Sequence, residues 1–134
     1  MGTSGAFACK VKQWWASILM LLLILWLTLA PKPTGEVSVS LFPGADKLVH
    51  AGMFCVLAFL ILRDRSRLGK RHSATLRASV CVWAAVTLLG GIIELLQETM
   101  QLGRTFEWCD ILADSAGALA GAAAAMIIFR QPSE

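Results

Sequence analysis

The chain has 134 residues, a formal net charge of +3, and a composition that is 57% hydrophobic and only 16% charged. An ordinary soluble domain is about half apolar or less and about a quarter charged, so this balance argues against a water-soluble fold. The apolar residues fall in long blocks, which points to helices facing lipid.

A membrane-spanning helix needs roughly 20 largely apolar residues. Open sheet would leave backbone hydrogen bonds unmade in hydrocarbon, so the blocks read as helices. The expected fold is all-α: a polytopic membrane protein, a four-transmembrane-helix bundle forming one domain over residues 1–134. The first helix covers about 14–30 and carries Trp14, Trp15 and Trp26. Lys10 and Lys12 ahead of an apolar run also resemble a secretory leader. The tryptophans, the length and the Pro31 that follows favour a retained span.

The second helix, about 46–62, opens with "GADKLVHAG". It is short, so its polar start sits at the membrane interface. The third, about 75–98, closes with "IIELLQETMQ", and the fourth, about 108–129, is introduced by "GRTFEWCDILADSAGALAG". Cys9, Cys55, Cys81 and Cys109 are scattered over separate segments, with neither metal-ligand spacing nor a disulfide framework.

Lys and Arg in short loops set orientation. The link "RDRSRLGKRHSATLR" holds Arg63, Arg65, Arg67, Lys70, Arg71 and Arg77. With Lys10, Lys12 and Arg130 it puts nine of the twelve basic residues on one side if both termini are cytoplasmic. Such a link also meets anionic lipid headgroups, so membrane lipids are expected partners and nucleic acid is not. Seven of the nine acidic residues then lie outside: Glu36, Asp46, Glu94, Glu98, Glu107, Asp110 and Asp114. Six of these cluster at the outer ends of the last three helices.

Spacing gathers these residues further. Asp46 and His50 are four apart on one helix face, with Lys47 beside them. Glu94, Gln97, Glu98 and Gln101 stack at the end of the third helix. Glu107, Asp110 and Asp114 make an acidic stripe at the start of the fourth. Structural explanations exist for several: Asp46 as a helix cap, and Glu107 and Asp110 as anions favoured by the helix dipole. Glu94 and Asp114 resist them. Glu94 sits where the dipole disfavours an anion, and Asp114 lies a turn inside an apolar helix. Ionisable groups at such depth mark functional sites. His50 adds the one side chain here whose ordinary pKa is near neutrality.

Ala113, Gly117, Gly121 and Ala125 recur every four residues, giving the fourth helix one smooth face with a GxxxG pattern. Its expected partner is the third helix, with Gly90-Gly91. The alternative is a second copy of the chain, a homo-oligomer through Gly117 and Gly121.

The stretches "DKLVHAGMFCVLAFLIL", "GGIIELLQ" and "GRTFEWCDILADSAGALAGA" resemble the VanZ-like family of small bacterial membrane proteins, over about residues 46–125. Position by position, the family's polar set falls on Asp46, Lys47, His50, Glu94, Gln97, Arg104, Asp110 and Asp114. Asp114 stands where Asn is common, and Glu107 where Asp or Ser is frequent. The resemblance implies a multi-pass protein of the bacterial cytoplasmic membrane. The family's named member is linked to teicoplanin resistance.

These readings combine in one expectation: a polar pocket at the outer-leaflet end of the bundle, acting on or binding a lipid or lipid-linked cell-envelope component. As an enzyme, it would use His50, Glu94, Asp110 and Asp114 in the chemistry. Asp46, Lys47, Gln97, Arg104 and Glu107 would hold the substrate, Arg104 by a bidentate grip on an anionic headgroup. Ser115 abuts the acidic stripe without standing out as a nucleophile. The cofactor is unknown. A divalent metal on His50 with Asp110, Asp114 or Glu94 would be Mg or Mn before zinc. The alternative is a non-enzymatic binder or shielding protein for an envelope lipid or antibiotic. A small transporter fits less well, because the inner halves of the helices offer little polar lining.

Overall fold

The computed structural model describes residues 3–30, 42–69, 74–100 and 106–129. They form four helices and, among the described residues, no strand: α1 (Thr3–Leu29), α2 (Ala45–Ser66), α3 (Leu76–Thr99) and α4 (Trp108–Phe129). All four contain a stretch long and apolar enough to cross a membrane, Lys12–Leu29 in α1 and the whole of the other three.

The boundaries follow local chemistry. α4 matches the expected range. α1 starts eleven residues earlier than expected, because the stretch before Trp14 contains lysine, alanine and glutamine and no proline. Such residues continue a helix past the edge of the lipid. At α2 the cap is Gly44, whose φ of 88° is left-handed backbone that glycine adopts freely. Asp46 therefore occupies the first turn and is not the cap that its position suggests. At α3, Thr75 is the cap, its hydroxyl accepting from the Ala78 backbone N–H at 3.3 Å.

α2 is the hub. It packs against α1, α3 and most extensively α4, while α1 touches α2 and α3 only. One core cluster joins Ile24, Phe54, Leu57, Ala58, Val86, Ile93 and Ala118. A second, with Leu62, Ala74, Ala122 and Ala125, lies toward the other end, where the Phe59 and Phe129 rings meet at 5.5 Å. Large apolar side chains such as Leu19, Trp26, Leu88, Leu112 and Ile127 point outward, as a bundle in lipid requires.

The smooth face of α4 is set on α2, which corrects the expected contact with α3. A Cβ on Gly117 would fall onto the backbone carbonyl of Ala51, and one on Gly121 onto that of Cys55. Spacing marks a face as smooth but not what lies against it. Because α2 covers this face within the chain, association of two copies through Gly117 and Gly121 would first have to displace α2.

A buried carboxylate lies toward the other end of the bundle. Asp64 is fully buried and accepts from the Ser17 backbone N–H at 3.2 Å, the Ser17 hydroxyl at 2.7 Å, and Arg63 at 3.1 and 3.0 Å. It fastens α1 to α2.

Candidate functional site

The start of α2, the end of α3, the start of α4 and the end of α1 meet at one end of the bundle, and the expected polar residues divide there into two layers. The outer layer is an ion cluster centred on Lys47. Its ammonium lies 2.6 Å from Glu107, 2.7 Å from Asp110 and 3.8 Å from Asp46. Asp46 and Glu107 are exposed, whereas Asp110 is mostly covered. The lysine thus ties the first turn of α2 to the start of α4, and two carboxylates already engage its donors.

One turn deeper lies the inner layer. His50 and Asp114 are both buried, and Nδ1 of His50 is 3.2 Å from Oδ1 of Asp114. A carboxylate only accepts, so an ionised Asp114 takes its hydrogen bond from Nδ1–H, and in the neutral imidazole the lone pair is then on Nε2. Glu94 of α3 is buried too, at the same end of the bundle and within electrostatic range of His50, Asp110 and Asp114. Three helices therefore bring one histidine and two carboxylates together in a site largely closed to solvent, beneath a layer of exposed ions. The arrangement suits proton transfer: an oriented imidazole with a carboxylate behind it and a second carboxyl group nearby.

Gln97 is placed differently from the substrate contact expected of it. It is buried, and its amide donates to the backbone carbonyl of Thr28 at 2.7 Å, holding the end of α1 against α3. Ser115 is likewise engaged, its hydroxyl and carbonyl oxygens each 3.2 Å from the Trp83 indole N–H. Arg104 lies outside the described residues. Among the described residues no group of three His, Cys, Asp or Glu side chains is placed to hold a metal ion. The nearest partners of these groups are instead one another: Lys47 lies against Glu107 and Asp110, and His50 against Asp114.

Two features are not evident from the sequence motifs. Asp64 reads there as one more charge of the basic link, yet His50, Leu57 and Asp64 recur every seven residues and so share the inward face of α2. That spacing is the signal that marks it. Thr28 contributes a backbone carbonyl, which no side-chain pattern reveals.

A family model described as VanZ/LLP1 matches residues 13–130. The match reaches from within α1 to just past α4, beyond the three stretches that carry the resemblance. No curated protein and no solved structure matches the chain. With four helices able to cross a membrane and a match covering most of its length, the chain is a multi-pass membrane protein that belongs to the VanZ/LLP1 family.

Proposed function

We propose that this protein acts on a lipid or lipid-linked cell-envelope component at the outer leaflet of the bacterial cytoplasmic membrane, using His50 as the proton-transferring group. The observation that carries the reading is the buried His50–Asp114 pair with Glu94 beside it, lying under the Lys47 ion cluster. A buried imidazole with a fixed Nδ1 donor presents Nε2 as a base, and Glu94 is the second group able to exchange a proton. The basic link between α2 and α3 supports placing this end outside and both termini in the cytoplasm. A headgroup reaching the pair from the membrane surface would pass Lys47, Glu107 and Asp110.

The alternative is a binder or shield for an envelope lipid or glycopeptide, which would use the same end of the bundle without proton chemistry. Cells carrying wild type, His50→Gln or Glu94→Asp are to be compared for envelope-lipid profile and glycopeptide susceptibility, alongside thermal stability of each protein in detergent. Stable variants that lose the cellular phenotype support the enzyme reading. Stable variants that keep it overturn that reading and leave the binder.

A further inference from the structure

Gly90 and Gly91 are adjacent inside α3, where each glycine weakens a helix relative to alanine. Only one has a packing reason to be there. A Cβ at Gly91 would meet nothing within 4 Å. At Gly90 it would lie 2.5 Å from Oδ2 of Asp114, 3.1 Å from the Asp114 Cβ and 3.2 Å from its Cγ. The carboxylate of Asp114 occupies the space an alanine would take.

That carboxylate has little room to retreat. Asp114 is 1% exposed, and its other oxygen is committed to His50. On the far side α4 is seated on α2, with Gly117 against Ala51, the residue following His50. The α2 contact sets the height of Asp114 relative to His50, and the notch at Gly90 receives the second oxygen. Close-packed interiors transmit such a displacement instead of absorbing it. A methyl group at residue 90 would turn the Asp114 side chain or lift α4, and either movement breaks a 3.2 Å hydrogen bond.

We propose that Gly90 is a positioning residue: its missing side chain seats the Asp114 carboxylate so that His50 is held as the Nδ1–H tautomer. This rests on, and deepens, the reading of His50 and Asp114 as the working pair. Gly90 touches neither the imidazole nor any substrate in this scheme, and acts only through Asp114.

The test is the nitrogen NMR spectrum of full-length protein labelled with ¹⁵N-histidine. The chain has two histidines, and His72→Gln assigns the His50 signals. Wild type is expected to show a protonated Nδ1 and a bare Nε2. Gly90→Ala is expected to lose that pattern and shift toward the Nε2–H form that free imidazole prefers, as is Asp114→Asn. Gly91→Ala is expected to leave the spectrum unchanged. A purely structural glycine would lower the melting temperature without moving the tautomer. A folded Gly90→Ala with an unchanged His50 spectrum overturns the proposal, as does a wild type lacking the Nδ1–H form. Should Gly90→Ala fail to fold, the Asp114→Gly background decides, because it removes the Cβ, Cγ and Oδ2 that the new methyl group would meet. Gly90→Ala must be tolerated there relative to Asp114→Gly alone if Asp114 is what it clashes with, and a double variant that fails where Asp114→Gly folds overturns the proposal. The spectrum is independent of any cellular phenotype. A shifted tautomer with the phenotype intact would therefore sink the proton-transfer function while leaving the positioning role standing.

Discussion

Gly117 of α4 lies so close to the carbonyl of Ala51 in α2 that a methyl group on the glycine would clash with the carbonyl oxygen. Gly121 repeats the relationship with Cys55 one turn later. Both obstacles are backbone, which cannot rotate away as a side chain can. Gly117→Ala and Gly121→Ala are each expected to destabilise by at least the roughly 1–3 kcal/mol typical of overpacking, despite alanine's better helix propensity. Thermal melts in detergent measure this, with Gly91→Ala as the control that should be neutral or gain up to about 1 kcal/mol. Equal melting temperatures for Gly117→Ala and Gly91→Ala would show that α4 does not sit on α2 in this way.

The clamp at Asp64 is separable from the site. Asp64 is fourteen residues from His50 on α2, about 21 Å at about 1.5 Å per residue. Ser17→Ala removes the 2.7 Å hydroxyl bond and leaves a fully buried carboxylate with one donor fewer. The expected loss is about 1–3 kcal/mol, the cost of an under-satisfied buried group. Asp64→Ala should cost more, because it also leaves Arg63 without its partner. Hydrogen exchange should show the loosening in α1 first, while the ¹⁵N signature of His50 stays in place. A changed His50 spectrum in either variant would mean that the two ends of the bundle are coupled.

Around Lys47 the effects should follow burial and not charge count. Asp110 is 14% exposed, Glu107 51% and Asp46 64%. Exposed pairs are screened by water and contribute little, so Glu107→Gln and Asp46→Asn should barely move the melting temperature. Asp110→Asn should lower it clearly, because that carboxylate is covered and lies 2.7 Å from the ammonium. Melts at low and high salt separate the cases: an effect that salt abolishes belongs to the exposed pairs. If Glu107→Gln proves as damaging as Asp110→Asn, the outer cluster is more enclosed than this geometry allows.

The amino-acid sequence makes some of these relationships legible and hides others. That Asp46, Lys47 and His50 of α2 meet Glu107, Asp110 and Asp114 of α4 is foreseeable, because helical spacing puts each set on one face and short outer links bring the helix ends together. That Lys47 is engaged by Glu107 and Asp110, where a headgroup contact is expected of it, is not. The start and end of α4 are legible because the polar stretch before Trp108 and the apolar run to Phe129 are sharply divided. The partner of the Gly117–Gly121 face is not, since a run of small residues says nothing about which neighbour fills it. Nor is the start of α1, where hydropathy records the edge of the lipid and not the end of the hydrogen-bonded helix. The division between Gly90 and Gly91 depends on atoms of another helix, so two identical letters in the sequence carry different duties.

Gln97 offers the sharpest distinction between a ligand contact and a fastening. Its amide donates to the carbonyl of Thr28 at 2.7 Å, and the side chain is 2% exposed. Thr28 turns its own hydroxyl back to the carbonyl of Ile24 at 2.7 Å, and its own carbonyl accepts from Gln97. Gln97→Leu keeps the volume but removes this buried bond, an expected loss of about 1 kcal/mol or more. Gln97→Glu should be worse when ionised, because it sets a carboxylate oxygen against a carbonyl oxygen where neither can donate. A substrate-binding Gln97 would behave in the opposite way, with melting temperatures unchanged and the cellular phenotype lost. Melts of the two variants beside wild type therefore decide whether this glutamine belongs to the pocket or to the wall that α1 forms behind it.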